Sequence, residues 1–364
     1  MQKLTSQRAE ARATFNVEIA AVACAVPKHK VSQEAIAEGA KRFFPHLEGS
    51  SGLFANTGIE SRYVCEPPEW YFESRGWEER TASFQHNALA LLEEAALKAA
   101  AAAGVRISDI AAIVTNTVTG LAVPSLEAHL LNRLPFSRRV ERLPIFGLGC
   151  GGGVGGLARA VRIAETMPGG HVLFLTVDLC SLCARGDDPS LANFVSIALF
   201  GDGAAAVLLR NARGGGAHPH RGALGRIVSL GEHCWADTLG IMGWDVKENG
   251  FGVVLSPELP SLLRRELRPV MEDFLAREGL ALDEFSSFLL HPGGRRVLDT
   301  AQEVLGLTRA NLIHSWEVLR QYGNMSSATA LFILERALAS GARGRHLLAA
   351  FGPGFSAYFV VLDL

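Results

Sequence analysis

Short apolar runs alternate with helix-patterned segments along this chain. Strand-like apolar runs occupy residues 111–116, 172–177 and 286–290. Apolar residues recur at helical spacing over 157–165 and 330–336. Alternation of this kind predicts α/β layering, in which the strands build sheets and the helices cover them.

Two pairs of similar segments predict an internal duplication. Residues 104–110 and 279–285 each begin with glycine and lead into a strand-like run. Residues 199–209 and 350–362 each place a glycine turn before a β-rich run. Because both pairs of similar segments occur in the same order along the chain, we expect two similar halves.

The most loop-like segment of the chain lies between these similar segments, at 213–222, where glycine, proline and histidine predominate. We therefore predict an N-terminal half at 1–212 and a C-terminal half at 223–364. The chain has 364 residues, of which 48% are hydrophobic, and this is enough for one large core or two fused cores.

Composition and charge narrow the classes of function. With 35 basic and 37 acidic residues the formal net charge is −2, which does not favour a nucleic-acid-binding scaffold. Residues 1–12 are polar and lack the apolar core of a signal peptide, and no apolar run is long enough to span a membrane. The six cysteines are widely spaced, unlike a secreted disulfide framework. We therefore expect a cytoplasmic protein.

Cys150 is the leading candidate for a nucleophile. It lies in a glycine-crowded turn at 146–156, which leaves room for a substrate to approach the sulfur. The helical pattern that follows would place Cys150 at a helix N-terminus, where the dipole favours the thiolate. The alternative is a small apolar side chain packed between a helix and a sheet.

Two distant segments offer partners for such a nucleophile. His291 ends an apolar strand-like run and is followed by proline and two glycines, and Asn324 precedes a helix-patterned segment. A histidine can accept the thiol proton, and an amide can donate to a developing oxyanion. The alternatives are a hydrogen-bonded core histidine and a helix-capping asparagine.

Four motifs together resemble the type III polyketide synthases, the chalcone-synthase-like family. They are the turn around Cys150, His-Pro-Gly-Gly at 291–294, Gly-Asn-Met-Ser-Ser-Ala-Thr at 323–329 and Phe-Gly-Pro-Gly at 351–354. The resemblance runs from about residue 17 to the C-terminus. It implies a thiolase-like fold, in which two duplicated αβαβα halves form a five-layered sandwich, and a homodimer.

The resemblance also implies the reaction and the residues that carry it. Cys150 matches the family's acyl-accepting cysteine, His291 its catalytic histidine and Asn324 its catalytic asparagine. The reaction implied is iterative decarboxylative Claisen condensation of malonyl-CoA onto an acyl starter, followed by ring closure. Coenzyme A thioesters are the substrates, and neither a separate cofactor nor a metal is expected. The matched pocket residues are Phe200, which corresponds to a gatekeeping phenylalanine, Ser326, and the loop Gly352, Pro353 and Gly354.

Several positions depart from the plant enzymes of the family. Val253 lies where a second gatekeeping phenylalanine is usual, which predicts a wider mouth or cavity. Cys180 and Cys183 replace threonines near the initiation pocket, and Val123 replaces a methionine that protrudes across the dimer interface. Together with the segment at 240–251, these changes resemble bacterial alkylresorcinol and alkylpyrone synthases. We therefore predict a fatty acyl starter and an alkylresorcinol, an alkylpyrone or a related product.

Recognition of the coenzyme phosphates is not explained by the matched segment. The plant enzymes present several basic residues there, whereas Arg62 is the one basic residue within 47–62 of this chain. Other positions must bind the phosphates, or the starter arrives on an acyl carrier protein instead of free coenzyme A.

Three other functions remain open from the sequence. An initiating ketoacyl synthase would use the same Cys, His and Asn set for a single extension. A Cys–His–Asn hydrolase would release free acid from an acyl-CoA, and a non-catalytic relative would only bind it. The Cys180-Ser-Leu-Cys183 pair also matches half of a zinc site, but no second pair accompanies it.

Overall fold

The structure is a computed structural model that describes residues 15–44, 52–213 and 222–364. The polar segment at 1–12, residues 47–51 of the segment matched to coenzyme binding, and residues 214–221 of the predicted boundary lie outside the described residues.

The strands of the described chain belong to one large sheet and two small ribbons. They are β1 Val17–Ala25, β2 His29–Ser32, β3 Ser61–Val64, β4 Ile110–Thr117, β5 Glu141–Phe146, β6 His171–Leu179, β7 Asp202–Asn211, β8 Gly225–Cys234, β9 Met242–Lys247, β10 Gly250–Leu255, β11 Ser287–Leu290, β12 Arg345–Gly352 and β13 Ser356–Asp363.

The helices fall between these strands, as the alternating pattern predicts. They are α1 Gln33–Lys41, α2 Gly52–Ala55, α3 Trp77–Ala103, α4 Leu126–Arg133, α5 Gly152–Glu165, α6 Leu191–Leu199, α7 Leu259–Arg277, α8 Arg295–Leu305, α9 Ile313–Tyr322 and α10 Ala328–Ala339.

The large sheet has the strand order β11-β12-β13-β8-β1-β7-β6-β4-β5. Its two sides meet at β1 and β8, which pair only through Glu18 with Arg226 and Ile19 with Gly225. Outward from this joint, each side begins with two antiparallel pairings and continues with a parallel one. The repeated strand order and direction confirm the predicted α/β fold with two similar halves. The predicted boundary between those halves stays a prediction.

Two helices form the central layer of the molecule. Helix α5 contacts β4 and β6 on one side and β12 and β13 on the other, while α10 contacts β1, β7, β11 and β12. Helix α3 covers the outer face of the β1-β7-β6-β4 side, and the apolar cluster around α7 and α8 covers the outer face of β11-β12-β13. The result is five layers, ordered helix, sheet, helix, sheet, helix.

The sequence pattern explains why these strands take interior positions. All nine residues of β6 are buried, because helices cover both faces of the sheet at this strand. The central helices α5 and α10 therefore lie between two apolar surfaces of the large sheet. Within the described residues, no helix is both long and apolar enough to cross a membrane.

Candidate active site

Cys150 lies in a single 3₁₀ turn, Gly149–Gly151, directly before α5. Gly149 has a φ of +51°, and a Cβ atom there would lie 2.4 Å from the ring of Pro353. A Cβ atom at Gly153 would lie 2.1 Å from the carbonyl oxygen of Ser327. Glycine is required at both positions, because the Cys150 turn packs against backbone from the C-terminal half. Residues of the C-terminal half therefore lie directly against the turn that carries Cys150.

His291 follows β11 and is only 2% exposed. Its backbone N–H donates to the carbonyl of Ala349 at 2.8 Å, which anchors it to the neighbouring strand β12. Neither ring nitrogen has a hydrogen-bond partner among the described residues. A buried imidazole with both nitrogens unpaired is rare in a purely structural role, since buried polar atoms are normally satisfied.

The side chain of Asn324 is oriented by its own loop. Its Oδ1 accepts from the backbone N–H of Ser326 at 2.8 Å, and its Nδ2 donates to the carbonyl of Gly293 at 3.3 Å. Ser326 has a φ of +49°, an uncommon conformation for a residue other than glycine. Since Gly293 lies two residues after His291, this contact joins the Asn324 loop to the His291 turn. The amide therefore presents its donor on the His291 side.

Asn324 connects the predicted nucleophile to the turn that follows His291, because it contacts both the Cys150 thiol and the carbonyl of Gly293. The side chains of Ser326 and Asn324 hydrogen bond to the Cys150 thiol and lower its pKa, but burial dominates and raises that pKa to about 11. Burial also lowers the pKa of the His291 imidazole to about 3. Both groups are thus neutral at pH 7. The thiolate expected from the helix dipole is not the resting form, because desolvation outweighs the dipole here.

Asp178, which the motif comparison missed, lies beneath this pocket. Its carboxylate accepts from the backbone N–H groups of Val118 at 2.8 Å and Ser327 at 2.9 Å, and from the hydroxyls of Ser327, Thr117 and Thr119. Its charge raises the pKa of the Cys150 thiol further. An aspartate inside the apolar run of β6 was the available signal, because a buried charge there requires several donors.

Phe200 follows α6 and pairs with Asn324 through an isolated backbone bridge. Trp244 faces it, with the two ring centroids 6.4 Å apart. Val253 lies directly opposite Trp244 in the β9–β10 ribbon. An aromatic side chain on the strand paired with Val253 therefore lies against Phe200, and the wider mouth expected at Val253 stays a prediction. Cross-strand pairing of this kind is not visible from one aligned position.

An apolar cavity of about 140 Å³ opens beside Phe200 and Cys180. Cys180 lies near Cys150, since a negative charge on Cys150 would contribute to the raised pKa of the Cys180 thiol. Away from these residues the cavity runs between α1, α6 and the turn at 68–72. Its lining there is mostly apolar and includes Ile36, Ala40, Phe43, Phe72 and Ile197.

The remaining predicted residues occupy two different environments. Cys183 is buried, and its thiol lies 3.9 Å from the carbonyl oxygen of Thr119. Val123, by contrast, is 97% exposed and does not line the cavity of the single chain. In the described part of the chain, no group of three or more His, Cys, Asp or Glu side chains is arranged to hold a metal ion.

Comparison with protein families gives two matches, which together cover most of the chain. Residues 67–212 match the N-terminal domain of chalcone and stilbene synthases, and residues 230–363 match the C-terminal domain.

Individual relatives match over nearly their whole length. The chain is 37% identical over 358 residues to a 1,3,6,8-tetrahydroxynaphthalene synthase of Streptomyces peucetius subsp. caesius, covering 94% of this chain and 92% of that one. It is 31% identical over 343 residues to a phloroglucinol synthase of Pseudomonas fluorescens, covering 92% and 95%.

A solved structure is similar at the level of the whole fold. The crystal structure of 1,3,6,8-tetrahydroxynaphthalene synthase from Streptomyces coelicolor, described as a bacterial type III polyketide synthase, superposes with a TM-score of 0.86 at 28% identity. The match covers 95% of this chain and 99% of that one.

Proposed function

Because the chain belongs to the chalcone and stilbene synthase family of type III polyketide synthases, we propose that it loads a fatty acyl starter on Cys150, extends it with malonyl-CoA and closes the product to an alkylresorcinol, an alkylpyrone or a related ring. The enzyme is an acyltransferase with the thiolase-like fold of that family. The observation that carries the proposal is a buried thiol in contact with the Asn324 amide, which in turn binds the turn after His291, whose buried imidazole has no partner among the described residues.

In the loading step, His291 takes the proton of the Cys150 thiol as the sulfur attacks the carbonyl carbon of the acyl-CoA. The carbonyl oxygen becomes an oxyanion, and it is stabilised by the protonated imidazole. The C–S bond to coenzyme A then breaks, and the proton passes to the departing thiolate. A starter thioester on Cys150 and free coenzyme A result.

In the extension step, malonyl-CoA loses carbon dioxide and leaves an enolate. Asn324 Nδ2 and His291 donate to the enolate oxygen, and a well-placed donor of this kind contributes on the order of 3 kcal/mol. The enolate carbon attacks the thioester carbonyl, the C–S bond to Cys150 breaks, and the sulfur leaves as a thiolate that takes up a proton from solvent. The lengthened chain is then a β-ketoacyl-CoA that can return to the same cysteine for another cycle.

The apolar cavity beside Cys180 and Phe200 supports a fatty acyl starter. Its walls are mainly aliphatic and aromatic, and they lead away from the nucleophile between α1 and α6. An alkyl chain gains about 0.8 kcal/mol for each methylene that it buries in such a cavity. The polar part of the lining is local, where Tyr71 Oη lies 2.7 Å from Ser181 Oγ.

Chain-length preference can be tested by filling the far part of this cavity at Gly39. A Cβ atom at Gly39 would lie 3.5 Å from the Phe72 ring, which is ordinary contact. We therefore expect Gly39→Ala to behave like the wild type. Gly39→Phe should lower kcat/KM for dodecanoyl-CoA by about tenfold to a hundredfold, because two or more methylenes lose their site. The kcat/KM for butanoyl-CoA should change by less than about twofold.

Two results would contradict the fatty acyl assignment. One is an equal loss for both chain lengths in Gly39→Phe, with the fold intact by circular dichroism. The other is efficient product formation from malonyl-CoA alone, without an added acyl starter. In the second case the cavity would have to serve the growing chain and not the starter.

A homodimer is also part of the proposal. Val123 is 97% exposed, and Leu121 and Phe146 nearby in the fold are about half exposed at 48% and 50%. Strand β5, which ends at Phe146, is the outermost strand on its side of the sheet. Apolar side chains on a free sheet edge favour burial against a second copy of the chain.

The dimer is tested by Val123→Arg. A guanidinium placed in an apolar contact loses solvation without gaining a partner, so the variant should sediment as a monomer at micromolar concentration while the wild type sediments as a dimer. Leu239→Arg is the matched control, because Leu239 is 83% exposed but belongs to a loop away from β5. An unchanged dimer in the Val123 variant would move the interface elsewhere.

The defining experiment for the whole proposal is mass spectrometry of products formed from malonyl-CoA and short, long and aromatic acyl-CoAs. Two or three added ketide units with ring closure support it. A single extension favours the ketoacyl synthase, free acid without malonyl-CoA favours the hydrolase, and a preference for aromatic starters contradicts the fatty acyl assignment. Activity only with starters bound to a carrier protein would identify that protein as the donor.

All six cysteines are free, which supports the cytoplasmic location expected from the sequence.

A further inference from the structure

Arg62, the one basic residue of the segment matched to coenzyme binding, is 1% exposed and points into the protein. Its Nη1 donates to the carbonyls of Ile197 at 3.0 Å and Phe200 at 2.8 Å, and its Nη2 donates to the carbonyl of Ala198 at 2.8 Å and to Gln33 Oε1. The two terminal nitrogens are therefore occupied by protein acceptors. Arg62 is not available to a coenzyme phosphate.

These acceptors mark the C-terminal end of α6. The last carbonyls of a helix have no partner within the helix, and the helix dipole makes this end negative. The Arg62 guanidinium binds two such carbonyls, those of Ile197 and Ala198, and also the carbonyl of Phe200 directly after the helix. Burial lowers its pKa to about 9, opposed by the charge of Asp202, so Arg62 remains positively charged at pH 7. A buried cation that binds mainly backbone carbonyls fixes the position of that backbone.

The backbone segment that Arg62 binds also forms hydrogen bonds with the backbone of Asn324. The N–H of Asn324 donates to the carbonyl of Leu199 at 2.9 Å, and the N–H of Gly201 donates to the carbonyl of Asn324 at 2.9 Å. Phe200 lies between these two hydrogen bonds. One side of the three-residue segment 199–201 is therefore bound by Arg62, and the other side is bound by the backbone of Asn324.

The packing leaves little room for this segment to move independently. A Cβ atom at Gly201 would lie 2.7 Å from the carbonyl oxygen of Tyr322 and 3.1 Å from Arg62 Cβ. A Cβ atom at Gly323 would lie 2.9 Å from the carbonyl oxygen of Leu199. Because backbone meets backbone at both glycines, a shift at the end of α6 is passed directly to Asn324.

We propose that Arg62 is a positioning residue for the extension step: it sets the place of Phe200 and, through segment 199–201, the place of the Asn324 amide. The inference rests on the proposed function. The Cys150 thiol contacts Asn324 and Ser326, but its backbone is fixed by α5 and the 352–354 loop, and His291 is held by β12. Loss of Arg62 should therefore impair malonyl-CoA decarboxylation more than acyl loading.

The test compares two steps in the same preparations of wild type, Arg62→Lys and Arg62→Met. Acyl loading is followed as the mass increase of the protein with hexanoyl-CoA, and decarboxylation as carbon dioxide released from malonyl-CoA alone. We expect decarboxylation to fall by about tenfold to a hundredfold in both variants, since misplacing a catalytic group by about 1 Å has effects of this size. The rate of loading should fall by less than about threefold.

Gln33→Leu provides a milder variant, which keeps Arg62 but removes the side-chain acceptor that Arg62 has among the described residues. It should show the same imbalance at a smaller size, and it maintains the test if an Arg62 variant does not fold. Arg106→Met is the control for loss of a cation, because Arg106 pairs only with Asp109 on the surface. This variant should match the wild type in both steps.

Equal losses of loading and decarboxylation in the Arg62 and Gln33 variants would overturn the inference, because a general structural role affects both steps alike. Unchanged decarboxylation in folded Arg62→Met would overturn it as well. Failure of the proposed function is distinguishable, since the wild type itself would then neither load an acyl group nor release carbon dioxide.

Discussion

Cys150→Ala is expected to lower polyketide formation by on the order of 10⁴-fold or more, the effect of removing a covalent nucleophile. Alanine removes the sulfur that carries the acyl chain, and burial raises the pKa of the neighbouring Cys180 thiol well above its usual range, so we do not expect that thiol to replace it. The measurement is product formation under saturating malonyl-CoA and acyl-CoA, together with the intact mass of the protein. The variant should show no added acyl mass.

The same variant separates the three roles proposed in the pocket. Decarboxylation of malonyl-CoA uses Asn324 and His291 and not the sulfur, so carbon dioxide release should continue in Cys150→Ala. Cys24→Ala is the matched control, because Cys24 lies on β1 outside the cavity, and it should retain full activity. An acyl-protein adduct that persists in Cys150→Ala would place the nucleophile elsewhere.

The layered fold was predictable because apolar runs and helix-patterned segments alternate, and because glycine turns recur before β-rich runs in both halves. The halves are in fact related by strand order and direction about the joint between β1 and β8. The joint itself could not be predicted. It consists of two residue pairs, and neither Glu18 nor Arg226 differs in kind from other strand-edge residues.

The site was predictable where a residue type needs a special backbone. Cys150, His291 and Asn324 each lie beside glycines that permit close approach of two chain segments, and their motifs can be read directly from the sequence. Asp178 and Arg62 were not recognised, because a buried charge is defined by its partners. Those partners come from segments distant in sequence, such as Ser327 for Asp178 and Ala198 for Arg62.

The electrostatic state of the pocket also depends on the fold. The sequence placed Cys150 at a helix N-terminus, which favours a thiolate, and this much is visible without coordinates. The extent of burial is not visible, and burial reverses the outcome for Cys150 and His291. From the neutral thiol and the neutral imidazole we predict that His291 acts as a base during the reaction and is not a permanent ionic partner of Cys150. This distinction can be measured.

His291→Gln is expected to lower the rate of Cys150 acylation at pH 7 by on the order of 10² to 10⁴-fold, the range for loss of a general base. In the wild type the thiol proton passes to His291 during attack. Since the thiol pKa is about 11 and the imidazole pKa about 3, both groups keep their reactive neutral forms across the pH range in which proteins are usually stable. The wild-type rate should therefore vary little between about pH 6 and pH 9, roughly the range in which a folded protein can be assayed.

The variant should respond to pH in a different way. Without His291 the thiol must ionise into solvent before it attacks, and the thiolate fraction rises about tenfold for each pH unit below the thiol pKa. The logarithm of the acylation rate in His291→Gln should then increase with pH with a slope near one, measured by intact mass. Asn324→Ala, which lacks the enolate donor but keeps the base, should lose decarboxylation and retain the flat acylation profile. A flat profile in His291→Gln would mean that another group removes the proton. Asp178 would be the next candidate, because its negative charge acts on the Cys150 thiol and raises the pKa of that thiol.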